Sequence, residues 1–320
     1  MTPSNSLFLQ EVDRVEITTL IDNYVDLMLQ DTLIVKRPPL SQGTELPRET
    51  LAAEHGLSLL VTTYRGSEKN SVLFDAGYNK NGVLHNIDQL GLDIQSVETI
   101  VLSHAHMDHA GALYPILDRI AKPVALVVHP DIFSFPRFLE DKAGNRVFFP
   151  RTLLKEDIAA TDLTLIESRT PTLIAHDTIA VTGEVERTTE FEKGMPNAYV
   201  EVDGHRQNDR IADDQSLVVQ LKNNRLVLIT GCCHAGIINT IRFVRKLTGI
   251  EKVYGVLGGF HLSGAFFETV IDRTVEALKE IHPEVIVPMH CTGWNAVKKL
   301  ADALPDSFII NSVGSRFILT

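Results

Sequence analysis

Four side chains able to bind a metal fall within six residues of this chain: His104, His106, Asp108 and His109. The apolar run Ile100-Val101-Leu102 leads straight into them, the pattern of a buried strand ending in a loop. Residues two apart share a side in extended backbone, so His104 and His106 face one way, while Asp108 and His109 turn the other. One tight loop could thus offer two donors to one cation and two to a neighbour. Imidazole nitrogens and carboxylate oxygens are what zinc and similar ions take, with a position left open to water where the site is catalytic. The competing reading is a surface loop rich in histidine by accident. It accommodates a single His far better than three with an Asp directly behind a hydrophobic strand.

The surrounding elements must hold that loop. Residues 15–20, 57–63 and 71–74 read as strands, and residues 83–90 as a helix stopped by Gly91. Residues 36–50 read as loop. The metal loop follows the strand at 99–102, and residues 110–120 read as the helix behind it. Further strands are expected at 124–128, 163–166, 178–182, 216–221, 225–230, 253–257, 285–288, 308–310 and 313–319, with helices at 237–247, 266–281 and 294–304. Three late strands each end in a histidine, at His234, His261 and His290. Strand ends on one edge of a sheet converge, which is where α/β sites gather.

Other polar residues carry two readings each. Asp22-Asn23-Tyr24 is either a turn or a loop on the lip of the site. Asp75, after a strand, is a turn former or a carboxylate that orients a metal-binding histidine. His129, before Pro130, sits at a strand end. Residues 131–160, with Phe133, Phe135, Arg137, Phe138, Phe148, Phe149 and Arg151, form an insertion. It reads either as a lid or substrate wall, or as a helix and turn packed on the core.

The whole chain sets bounds. Its 320 residues are 44% hydrophobic and 22% charged, enough for a large core. Residues 1–14 read as a loosely held arm and residues 15–320 as a single domain. A net charge of −11 argues against non-specific nucleic-acid binding. An anionic small-molecule substrate remains compatible with it, because a bound metal makes its own positive field. The three cysteines, Cys232, Cys233 and Cys291, are not a disulfide framework and fit a reducing compartment. The first residues lack the basic segment and apolar run of a signal peptide, and no apolar stretch approaches the ~20 residues that span a bilayer. The expectation is a cytoplasmic protein with no membrane partner. Oligomeric state stays open, and a homodimer is compatible with the sequence.

His-x-His-x-Asp-His at 104–109, behind Phe74-Asp75-Ala76-Gly77, resembles the metallo-β-lactamase superfamily. Glu54-His55-Gly56, Thr182-Gly183-Glu184, Gly231-Cys232-Cys233-His234, Gly258-Gly259-Phe260-His261 and Met289-His290-Cys291-Thr292 resemble one branch of it. That branch is labelled 7,8-dihydropterin-6-methyl-4-(β-D-ribofuranosyl)-aminobenzene-5′-phosphate synthase-like. The resemblance implies an αββα sandwich of two mixed sheets flanked by helices, with one or two divalent ions, zinc first and manganese or iron as alternatives. His104 and His106 would bind the first ion, and Asp108, His109 and His290 the second, with Asp75 behind them. The usual bridging aspartate is replaced here by Cys232. His234 is proposed for a missing ligand place, with Cys232, Glu184 and His261 as weaker candidates. His261 could equally contact substrate or act as a general acid, alongside a catalytic Asp108. His55 and Asn23 would stand behind the ligands or touch substrate, and Cys233 and Cys291 would pack beside the site. The implied function is a metal-dependent hydrolase of a small ester, phosphoester or lactone, pterin- or ribose-phosphate-like. A di-iron oxidoreductase and a non-catalytic ligand sensor are the alternatives.

Overall fold

Apolar residues on both faces of most strands build sheets that are covered on both sides. A computed structural model describes residues 7–41 and 43–320. In chain order the strands are β1 (Arg14–Ile21), β2 (Val35–Lys36), β3 (Ser58–Arg65), β4 (Glu68–Phe74), β5 (Val97–Val101), β6 (Val124–Val128), β7 (Arg137–Glu140), β8 (Arg146–Phe148), β9 (Leu163–Glu167), β10 (Thr172–Ile174), β11 (Ile179–Val181), β12 (Ala198–Val202), β13 (His205–Asn208), β14 (Ser216–Leu221), β15 (Arg225–Thr230), β16 (Val253–Gly259), β17 (Val285–Met289) and β18 (Arg316–Leu319). The helices are α1 (Gly82–Leu90), α2 (Met107–Ala110), α3 (Leu113–Arg119), α4 (Lys155–Ala159), α5 (Ile237–Thr248), α6 (Ile271–Ile281) and α7 (Trp294–Ala303).

An eight-stranded sheet runs β2-β18-β1-β3-β4-β5-β6-β9, and a six-stranded sheet runs β10-β11-β14-β15-β16-β17. Both are mixed. β4, β5, β6 and β9 are parallel neighbours in the first, as are β15, β16 and β17 in the second. Val15, Ile17, Val61 and Phe74 of the large sheet meet Val181, Val219, Val227 and Ile229 of the small one in a shared core. Alternate residues point outward. Val218, Leu228 and Val256 pack under α5, α6 and α7, while Leu73, Ile100 and Leu126 pack under α1 and α3. The result is an αββα sandwich. Each fully buried Leu, Ile or Val contributes about 1.5–3 kcal/mol relative to an exposed one. No helix of the described residues is long and apolar enough to cross a membrane.

Several expectations need correction. The insertion is neither a lid alone nor a helix and turn. β7 and β8 pair with β12 and β13 in a separate four-stranded sheet, so the added module comes from two stretches of chain. Its strands are short, and β8 and β13 are exposed along their length, so they carry no apolar alternation. The arm is docked in its described part: Leu9 and Val12 are buried, and Val12 bridges to Leu221. Residues 1–6 lie outside the described residues. The helix expected at 110–120 is shorter, running as α3 over Leu113–Arg119; α2 ends at Ala110, and between them Gly111 donates to the Gly77 carbonyl. The helix expected at 266–281 opens with a 3-10 turn at Phe267–Val270. Residues 308–310 contribute a single bridge, Phe308 to Ile286, instead of a strand.

Candidate metal centre

The C-terminal ends of the parallel strands deliver the polar residues. Asp75 follows β4, the His104–His109 loop follows β5, Cys232 and His234 follow β15, His261 follows β16 and His290 follows β17. Two groups result. His104, Cys232 and His234 form one, and His109, Cys232 and His290 the other; within each, one donor atom per residue lies within 4.8 Å of the rest. Cys232 belongs to both. His106 flanks the first group, its ring 4.5 Å from that of His104 and 4.9 Å from that of His234, stacked on Phe149. Asp108 completes the second, 3.2 Å from His290 Nε2 and 4.0 Å from His109 Nε2.

Hydrogen bonds decide which ring nitrogens point inward. Asp75 accepts from the Ser103 N–H and hydroxyl, both at 2.7 Å, and from His109 Nδ1–H at 2.6 Å. The Ser103 hydroxyl, its proton committed to Asp75, accepts from His104 Nδ1–H at 2.9 Å. Asn23 Oδ1 accepts from His290 Nδ1–H at 3.2 Å. Three rings are thereby left with Nε2 lone pairs aimed at the centre. Nε2 of His104 and His234 stand 3.2 Å apart, as do those of His109 and His290. Lone pairs converging at that distance fit a cation, or in its absence a proton. The donor set, nitrogen and oxygen with one sulphur, fits a divalent metal of the zinc type.

The ionisation pattern agrees. Burial holds His104 and His234 well below the usual histidine range and lowers His106 to about 3. Burial also opposes charge on His109, but Asp75 and Asp108 outweigh it and raise His109 to about 9. Burial pushes Asp108 up, and His109 and His290 more than reverse this, holding it well below the carboxylate range. Burial pushes the Cys232 thiol up.

The remaining candidates divide. His55 Nε2 lies 3.4 Å from Asp108 and is largely exposed. His261 packs its ring 4.1 Å from that of His234 and 4.4 Å from Phe267, and its Nδ1 is buried without a partner. Glu184 joins neither group and lines a recess with Arg187 and Arg210, because the Gly183 turn packs on the Arg169 backbone. His129 accepts from the Asp131 N–H and also stands apart. Asp75, His261 and His290 hold positive φ values of 63°, 44° and 48°, backbone strain of a kind that gathers at functional sites.

Sequence reasoning missed the supports. Asp213 accepts from the N–H of Ala105, between His104 and His106, and pairs with buried Arg137 at 2.8 Å. Asp214 accepts from Ala235 beside His234, and the Gln215 amide donates to Leu102. One short segment, 213–215, thus clamps both loops. Its only signal was a polar trio directly before the apolar strand at 216–221. Asp22, read from the sequence as a turn or a residue on the lip of the site, accepts from the His290 N–H across 268 positions of sequence.

The αββα sandwich with its candidate metal-binding loops is that of the metallo-β-lactamase superfamily, to which the chain belongs, and the family model matches residues 53–187. It is 32% identical over 264 residues to the 7,8-dihydropterin-6-methyl-4-(β-D-ribofuranosyl)-aminobenzene-5′-phosphate synthase of Methanocaldococcus jannaschii, covering 80% of this chain and 87% of that one. It is 35% identical over 263 residues to an uncharacterized protein of the same organism, covering 82% and 92%. Among solved structures it is similar to Tm1679, described as a metal-dependent hydrolase of the β-lactamase superfamily. That match has a TM-score of 0.70 and 25% identity over 96% of this chain and 98% of that one.

Proposed function

We propose that this protein is a metal-dependent hydrolase of a small phosphorylated, pterin-like substrate, built on two ions that share Cys232. The carrying observation is that two three-residue donor groups meet at one sulphur. His104, His106 and His234 would hold one ion, and Asp108, His109 and His290 the other. Zinc suits a set that mixes imidazole, carboxylate and thiolate better than manganese does. Bound metal supplies a water whose pKa is lowered towards ~7, and so a nucleophile at neutral pH. Asp75 and Asn23 fix the tautomers of His109 and His290, and Ser103 fixes that of His104. His261, whose Nδ1 is buried without a partner, would give a proton to a leaving group or bind an anionic oxygen. The name of the Methanocaldococcus jannaschii relative supports a pterin and ribose-phosphate substrate class, and the description of Tm1679 supports hydrolysis.

The test is metal analysis of the purified protein together with turnover of phosphomonoesters, phosphodiesters and lactones. His106→Ala should lower bound metal and rate at least about a hundredfold, since loss of a partner behind the ligands alone costs about 10–100-fold. An unchanged rate would end this reading. Asp213→Asn should weaken metal binding by about 10–100-fold while leaving every donor in place, because the Ala105 N–H and Arg137 lose their shared carboxylate. Competition with a chelating dye reads this, and unaltered affinity would remove Asp213 from the clamp.

A further inference from the structure

Cys232 and Cys291 close the loops after β15 and β17, the two strands that flank β16. The two sulphurs and a His261 ring nitrogen all lie within 4.8 Å of one another, and the Cys291 thiol donates to the Cys232 carbonyl at 3.4 Å. This approach requires Gly259 at the end of β16. A Cβ there would stand 2.8 Å from Cys291 Sγ and 3.4 Å from Cys232 Cα. Both thiols are free, and Cys291 is 8% exposed. Cys233 differs: it belongs to the apolar core under α5 and pairs with the Thr240 hydroxyl.

We propose that Cys232 and Cys291 are an oxidisable dithiol pair that a peroxide closes into a disulfide. The Cys291 thiolate attacks one peroxide oxygen, the O–O bond breaks and hydroxide leaves. Cys291 becomes a sulfenic acid. The Cys232 sulphur then attacks the Cys291 sulphur, the S–O bond breaks, and the departing oxygen leaves as water with the thiol proton. Two thiols and one hydrogen peroxide give one disulfide and two waters. The sulphurs lose two electrons and the peroxide gains them. A dithiol reductant returns the pair by exchange. Closure brings the sulphurs from within 4.8 Å to about 2.05 Å. If Cys232 is the shared ligand proposed above, closure also removes the sulphur from both groups, and the ions leave with it.

The experiment treats the metal-loaded protein with one equivalent of hydrogen peroxide and maps its peptides without reduction, while a chromophoric chelator records released metal. The expected result is one cross-linked peptide joining Cys232 to Cys291, reversed by dithiothreitol, with metal loss in step with cross-linking. Cys232→Ser should leave a Cys291 sulfenic acid that dimedone traps. Sulfinic acid without a cross-link, or a cross-link to Cys233, overturns the pair. A Cys232–Cys291 cross-link with metal retained upholds the pair and overturns the reading of Cys232 as a ligand.

Discussion

Cys232→Ala is expected to lower turnover more than any other single substitution at the centre and to reduce bound metal from two ions per chain to one or none. The reason is position. The Cys232 sulphur is common to the His104–His234 group and the His109–His290 group. Losses at partners behind metal ligands already cost about 10–100-fold, and this change would remove the donor proposed for two ions at once. Cys232→Asp restores an anionic donor and should recover part of the metal content. Elemental analysis of the purified variants, with rates on the substrate panel, reads both effects. Two ions retained by Cys232→Ala would contradict the sharing.

Metal affinity is expected to rise with pH, by about tenfold per unit for each proton that binding displaces, with the His109 contribution ending at about pH 9 and that of the raised Cys232 thiol continuing above it. In the metal-free protein Asp75 and Asp108 hold a proton on His109 up to about 9. A cation needs the lone pair that this proton occupies, so binding below that pH releases it. Stability of the metal-free protein runs the other way. A histidine raised from 6.5 to about 9 contributes stability that is complete below 6.5 and is lost as pH climbs through 9. Melting of the metal-free protein should therefore fall between these values while loading tightens. Asp75→Asn removes the closest carboxylate and should flatten both slopes. Chelator competition and calorimetry across pH 6 to 9 are the measurements, and slopes unaffected by Asp75→Asn would contradict the assignment.

Much of the fold was legible because its core strands are apolar runs closed by turn residues. The stretches at 216–221 and 225–230 form the antiparallel pair β14 and β15 expected of them. The grouping of His234 and His290 with the loop at 104–109 was legible for a related reason: parallel strand ends converge. The four-stranded module escaped notice because its strands are three to five residues long and two of them, β8 and β13, face solvent throughout. Glu184 entered the candidate set through a motif. Its turn instead carries it beside Arg187, since the side of the loop it takes is set by packing on Arg169. Asp213 escaped notice, and the partners of Arg137 and Asp22 were not read, for a third reason. Each acts through a contact far away in sequence, and a buried ion pair leaves no local pattern. Cys291 was expected beside the site, yet its approach to Cys232 depends on the absence of a side chain at Gly259, which only the folded backbone reveals.

X-ray absorption of the zinc-loaded protein tests the shared-sulphur centre most directly. The account predicts nitrogen and oxygen scatterers at about 2.0–2.2 Å together with one sulphur at about 2.3 Å, the sulphur disappearing in Cys232→Ala. A spectrum fitted by nitrogen and oxygen alone in the unaltered protein would contradict it.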